Sequence, residues 1–241
     1  QRREQARGLA ARIWEASRPA PPEHPYLASK CVEPHGLRVF KGVLVMPVRD
    51  LAGQLHSLQF ISAGGHKRFL KGGRTQGLCC WVGEPPDPGS APTATICVAE
   101  GFATAASVHQ ASGHPVAVAF HSGNLAPVAM AVRSRFPAAR IILCADDDHR
   151  TPGNPGLTQA QDAARKVGGR VAAPDFETAR PADATDFNDL HCLQGLSAVR
   201  TALEGAAEPG LAPGQTAVPA DGAAEIAWPD PEPLAAPGES Q

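Results

Sequence analysis

Two acidic signatures close apolar runs in this 241-residue chain. In "ICVAEGFATA" (96–105) the run Ile96-Cys97-Val98-Ala99 stops at Glu100, and Gly101 then opens a helical pattern. In "IILCADDDH" the run 141–145 stops at Asp146, Asp147 and Asp148. Carboxylates gathered at strand ends supply the hard oxygen ligands that Mg²⁺ takes, and Mg²⁺ keeps waters that phosphate can displace. One such ion offsets phosphate charge and activates a hydroxyl; two clamp the attacking and leaving oxygens. Alternate residues of an extended chain share a face, so Asp146 and Asp148 are expected to point together and Asp147 away. Replacing Asp147 is therefore expected to be nearly silent. One acid alone at such a turn reads as a helix cap or turn former. Glu and Asp-x-Asp on successive turns of the same kind read as a metal site.

The elements that must position these acids alternate. The spacing predicts strand 95–99, helix 102–111, strand 115–120, helix 125–135, strand 140–145, helix 156–167 and strand 170–173. Short connections between them argue for an α/β fold, a parallel sheet flanked by helices. In such sheets ligands gather beyond the carboxyl ends of the strands, where Glu100, Asp146 and Asp148 fall. Asn124, in "HSGNLAPVA", reads as the N-cap of helix 125–135, although Gly123 and Asn124 also suit a phosphate at a helix N-terminus. The histidines at 109, 114, 121 and 191 show no ligand spacing.

A smaller α+β basic segment precedes this part. Residues 2–17 have helical apolar spacing, and 42–50 and 54–62 read as strands around a hairpin signal at 50–53. "GGHKRFLKGGR" (64–74) is a glycine-rich loop carrying Lys67, Arg68, Lys71 and Arg74, with amides and cations suited to phosphates. Proline and glycine crowd 82–94 and mark a boundary. The expected organisation is a basic subdomain at 1–90, a catalytic domain at 91–204, and an acidic Pro/Ala-rich linker at 205–241 that reads as disordered and leads to a further domain.

Charge follows that division. Residues 1–90 hold 13 Lys/Arg against 7 Asp/Glu, 91–195 hold 8 against 10, and 196–241 hold 1 against 7, within a net charge of −2. A basic part beside an acid-lined one suits a polyanion that must approach a cation site. With 43% hydrophobic and 19% charged residues the composition is that of a globular protein. No apolar run is long enough to span a membrane, and no signal peptide heads the chain. The six cysteines form no C-x-x-C pair and read as reduced thiols in the cytoplasm. The first residue is not Met, so the chain is expected to be part of a longer protein.

"VAEGFATA", followed some 40 residues later by "LCADDDH", resembles the Toprim domain of primases, topoisomerases and some nucleases over residues 93–194. Its Glu-Gly and Asp-x-Asp positions are intact. The resemblance implies catalytic and metal-binding roles for Glu100, Asp146 and Asp148, with Mg²⁺ or Mn²⁺ as cofactor. "DATDFNDL" (183–190) is similar to a late element of plasmid primase Toprim domains, with Thr185 where Lys is usual. It implies a second-metal or supporting role for Asp186, and also Asp189; capping of the following helix is the alternative. "PVRDLAGQLHSLQFISAGGHKRFLKGG" resembles the segment before Toprim in DnaG-type primases, which implies nucleic-acid or nucleotide binding by Lys67, Arg68, Lys71 and Arg74. "HPYLASKCVEPHGLRV" (24–39) and "IAWPDPEPLAAP" (226–237) look like parts of plasmid and phage primase-helicases.

The resemblance therefore implies a primase core that makes primers on single-stranded DNA from nucleoside triphosphates, beside a helicase-like domain or replication helicase. A Toprim nuclease, or a single-stranded-DNA-binding module without catalysis, uses many of the same residues. A topoisomerase needs a tyrosine nucleophile, and the sole Tyr26 lies before the basic loop.

Overall fold

The computed structural model describes residues 2–87, 94–176 and 180–210. The expected linker beyond 210, with its 226–237 element, lies outside the described residues. Residues 1–210 make one compact unit built around two five-stranded sheets.

The first sheet is antiparallel. Helix α1 (Arg2–Ala16) leads to β1 (Arg18–Pro19), α2 (Pro25–Ser29), β2 (Arg38–Phe40), β3 (Val43–Arg49), β4 (Leu55–Ile61) and β5 (Lys67–Phe69), which pair in the order β1-β2-β3-β4-β5. The predicted hairpin is β3–β4, turning through Asp50, whose carboxylate takes the Ala52 and Gln54 amides at 3.0 and 2.9 Å. Period-two alternation splits its residues between two cores. Leu44, Met46, Val48 and Ile61 join the core shared with the second sheet, whereas Val45 and Leu58 pack with Ala10 of α1 on the outer face.

The second sheet contains β6 (Cys80–Val82), β7 (Thr95–Ala99), β8 (Val116–Val118), β9 (Arg140–Cys144) and β10 (Arg170–Ala172) in the order β10-β9-β7-β8-β6. β7, β8, β9 and β10 are parallel, as the alternation predicts; β6 adds an antiparallel edge. Thus Cys80–Val82, which precedes the Pro/Gly-rich boundary, pairs with the sheet that follows it. Helices α3 (Phe102–Ser112), α4 (Leu125–Arg135) and α5 (Pro155–Val167) are the crossovers, and α6 (Phe187–Glu204) closes the fold. Cys97, Ala99, Ile142 and Cys144 face α3, α6 and the first sheet. Ile96, Val98, Ile141, Leu143 and Ala145 face α4 and α5.

From β7 the chain goes to β8 on one side and then returns to β9 on the other, so the strand order reverses between β7 and β9. Such a switch point leaves a crevice beyond the strand ends. Register pairs Ala99 with Cys144, which sets Glu100 and Asp146 at the mouth of that crevice.

Past α6 the chain stays packed briefly. Ala206 is buried, and Ala207 exchanges backbone hydrogen bonds with Val171 at 2.9 Å. No helix among the described residues is long and apolar enough to cross a membrane.

Candidate metal and nucleotide site

Asp146 is the centre of the site. Burial, then the charges of Asp186, Glu100 and Asp148, push its carboxyl up to about 8, and Lys67 opposes them. Its Oδ1 is buried and has no hydrogen-bond partner among the described residues. An acceptor buried without a donor costs stability; Ser57 Oγ and Asn188 Oδ1 share that state, but only the Asp146 oxygen belongs to a group of acids that act on one another's charge. Burial also raises the Glu100 carboxyl, which Lys67 lowers and Asp148 and Asp186 raise. These acids come from three separate stretches of sequence, yet Glu100, Asp148 and Asp186 all act on Asp146. Hard, crowded carboxylate oxygens with an orphaned acceptor fit a divalent cation. As placed, no three or more His, Cys, Asp or Glu side chains among the described residues converge closely enough to hold a metal ion by themselves. Mg²⁺ does not require such a cluster, since it is commonly held by one or two carboxylates plus waters and substrate phosphates.

Neighbouring elements fix each acid. Asp148 Oδ2 accepts the Gly156 N–H at 2.9 Å in the first turn of α5. A Cβ on Gly156 would lie 2.5 Å from the Asp146 carbonyl oxygen and 2.9 Å from Asp148 Oδ2, so glycine alone allows this approach. Asp186 caps the helix that follows it, one of the two readings the sequence left open, and it also lies close enough to Asp146 to act on its charge. As N-cap of α6 its Oδ1 takes the Asp189 N–H at 2.8 Å; in return Asp189 Oδ2 takes the Asp186 N–H at 3.4 Å, and it also takes the Thr185 N–H at 2.9 Å. Its Oδ2 accepts from Thr104 Oγ1 at 3.1 Å, and its carboxyl, raised by burial and by Asp189, joins the electrostatics of Asp146. Lys30 stands 4.0 Å from Asp189.

Asp147 turns to other partners, as alternation requires, but it is not idle. Arg180 binds its Oδ2 and, at 2.7 Å, its carbonyl oxygen; Asn154 Nδ2 donates to its Oδ1. These contacts hold its carboxyl below the usual carboxylate range despite burial. Asp147 lies away from the acid cluster, and it has a structural part as well: it ties the 180–185 segment to the β9–α5 loop. Its backbone N–H also donates to the Thr185 carbonyl at 2.7 Å.

The basic loop is divided by its own strand. Lys67 points to the acids, its Nζ only 3.6 Å from where a Cβ on Gly101 would sit. Its neighbour Arg68, opposite Phe60 in the register, lies over the Phe60 ring at 5.7 Å on the outer face. Lys71 lines the same outer surface as Arg68, and Arg74 is exposed on the following loop. Of the four cations singled out by sequence, one reaches the acid cluster.

Three further residues were not legible in this role. Asn124 stands at the N-cap position of α4, as expected, but its side chain makes no cap hydrogen bond. It is fully buried instead, taking the Gly77 N–H at 2.8 Å and donating to Ala119, Leu78 and Thr75 carbonyls at 2.9, 3.1 and 3.3 Å. It fastens the loop before β6 to the end of β8. Tyr26 is buried, and burial with the Asp186 charge pushes its phenol up to about 12, which disfavours the phenolate a topoisomerase nucleophile would need. Phe120 has φ of 72°, an uncommon conformation for a bulky residue, and packs edge-on against Phe69 of β5.

Comparison with known proteins agrees with this fold. Residues 95–197 match the Toprim domain family. Two Escherichia coli proteins described as DNA primase TraC are each 34% identical, over 164 and 181 residues, covering 63% and 70% of this chain but 15% and 12% of their own length. This chain thus spans less than a sixth of either relative. The DnaG primase catalytic domain bound to single-stranded DNA superposes with a TM-score of 0.54 at 13% identity, over 85% of this chain and 80% of that one. The primase fragment of the bacteriophage T7 primase-helicase protein gives 0.53 at 18%, over 74% and 73%. Residues 95–197 thus resemble a Toprim domain, in a chain similar to a part of the TraC primases and folded like DnaG-type primase cores.

Proposed function

We propose that this chain is the catalytic core of a DNA primase, joining nucleotides into short primers on single-stranded DNA in plasmid or phage replication, in the cytoplasm. One observation carries the reading: the buried, unpartnered Oδ1 of Asp146 among Glu100, Asp148 and Asp186, at the strand-order reversal of a Toprim sheet. Glu100, Asp146 and Asp148 would hold Mg²⁺ or Mn²⁺, with Asp186 as a ligand or as the acid that shapes their charge. A bound divalent ion offsets triphosphate charge and favours ionisation of a 3′-hydroxyl. The raised Glu100 carboxyl is suited to take the proton of that hydroxyl, because burial brings a carboxylate nearer the working pH of a general base. Lys67, on the first sheet but facing the acids, would hold the phosphates of the incoming nucleotide.

A nuclease could use the same acids. The primase reading is favoured by the basic sheet, which shares one core with the Toprim sheet and delivers Lys67 to the acids. Residues 1–90 would then position template and nucleotide, residues 91–204 would do the chemistry, and a helicase-like domain or separate helicase would supply single strands. The test is template-dependent primer synthesis on single-stranded DNA with ribo- and deoxynucleoside triphosphates in Mg²⁺ or Mn²⁺. Products that need template and vanish in Asp146→Asn and Asp148→Asn support the proposal. Metal-dependent shortening of the DNA without primers would replace it with the nuclease reading.

A further inference from the structure

The outer face of the first sheet carries a pocket that the acid site does not use. Its volume is about 420 Å³, and Phe40, Phe60 and Leu70 line it together with Lys41, Arg68 and Lys71. Among the described residues no carboxylate lines it. Lys41 lies over the Phe40 ring at 5.5 Å and Arg68 over the Phe60 ring at 5.7 Å. The two rings are half-buried, and the three cations are exposed. β2, β4 and β5 set this arrangement by register: Phe40 pairs with Val43, and Phe60 with both Val45 and Arg68, all on the α1 side of the sheet.

β5 is an edge strand, and successive residues of a strand point to opposite faces. Lys67 therefore faces the acid cluster while Arg68, the next residue, faces the pocket. A polyanion crossing this edge meets a cation on each side. Aromatic faces bordered by cations hold single-stranded nucleic acid by stacking unpaired bases and pairing the flanking phosphates. A duplex has its bases already stacked and offers no free base face to the rings.

We propose that this pocket is a second nucleic-acid subsite, in which one unstacked base of single-stranded DNA lies against Phe60 and Phe40 while Lys41, Arg68 and Lys71 hold its phosphates. The strand reaches it from the acid site across β5. The proposal rests on the primase reading for its ligand, but its test requires no catalysis.

Binding of labelled oligo(dT) is measured by fluorescence anisotropy, in EDTA, against an abasic strand of equal length and charge. Phe60→Leu keeps an apolar group and removes the ring face; it should weaken oligo(dT) binding about tenfold, within the range of one lost stacking contact, and leave the abasic strand unaffected. Lys41→Ala and Arg68→Ala should weaken both strands and lower the salt slope by about 0.7 each. These two cations are exposed, so the variants are informative even if Phe60→Leu misfolds. Wild-type affinity for oligo(dT) in Phe60→Leu, equal weakening of both strands by that variant, or an unchanged salt slope in the two cation variants would overturn the subsite. If the wild-type chain bound no oligo(dT) at all, the primase reading would fall with it. Intact primer synthesis with no effect of these variants would remove the subsite alone.

Discussion

Replacing Asp146 by Asn should stabilise the metal-free protein while destroying its function. The Asp146 carboxyl is raised from 3.8 to about 8 by burial and by Asp186, Glu100 and Asp148. The sign follows directly. Below pH 4 the acid is protonated in both folded and unfolded chains, and burial carries no charge penalty. Between pH 4 and 8 the unfolded chain releases a proton that the folded chain keeps, so stability falls as pH rises. Above pH 8 the full penalty is present. At about 1.4 kcal/mol per pH unit the ceiling is about 6 kcal/mol, and relaxation with water entry reduces it to about 2 kcal/mol. Asn removes the charge and brings donors for the surrounding carboxylates. In EDTA at pH 8 this predicts a rise of about 4–8 °C in Tm for a domain of this size, shrinking towards zero at pH 4. Mg²⁺ should raise the Tm of the wild-type chain through binding to the folded state, and raise Asp146→Asn much less. Thermal unfolding at several pH values, with EDTA or Mg²⁺, reads all of these quantities. A Tm for Asp146→Asn equal to or below wild type at pH 8 in EDTA would refute the crowded-acid account. An undiminished Mg²⁺ response would refute the role of Asp146 as a ligand.

Three other perturbations separate positioning from chemistry. Gly156→Ala forces a methyl against the Asp146 carbonyl and Asp148 Oδ2; it should cost about 1–3 kcal/mol and weaken Mg²⁺ binding, read by calorimetry. Asp147→Asn should lose about 1–2 kcal/mol at pH 7 through the half-buried Arg180 contact. Because that carboxyl is lowered in the folded state, the loss should fade as pH falls below 4, and Mg²⁺ affinity should change far less than in Asp148→Asn. Asn124→Ala leaves the Gly77 N–H and the Ala119 and Leu78 carbonyls without their buried partner, and should lower Tm by about 6–12 °C with nucleotide transfer retained at temperatures where the chain is folded.

The sequence by itself determined the parallel sheet, its strand and helix order, and the acids at its mouth. These are local signals: apolar runs of strand length, helical spacing between them, and a carboxylate where each run stops. Alternation along an extended chain also sorted Asp146 from Asp147 without any tertiary contact. The hairpin β3–β4 was legible for the same reason, through two strand-like runs around "DLAG".

Only the tertiary structure decided what surrounds those acids. Lys67 and Asp186 reach Asp146 from 79 residues before and 40 residues after it, because two sheets share one core and α6 returns to the switch point. Arg180 meets Asp147 by the same return of the chain. The basic loop looked uniform in sequence, yet pairing at a sheet edge sends Lys67 and Arg68 to opposite faces. Asn124 occupied a helix-start position in which Asn ordinarily caps. Its side chain was drawn inward because the loop at 75–78 left buried backbone groups that nothing nearby in sequence could satisfy. Local pattern specifies what a segment forms; burial and charge, set by segments far along the chain, specify what each side chain must do there.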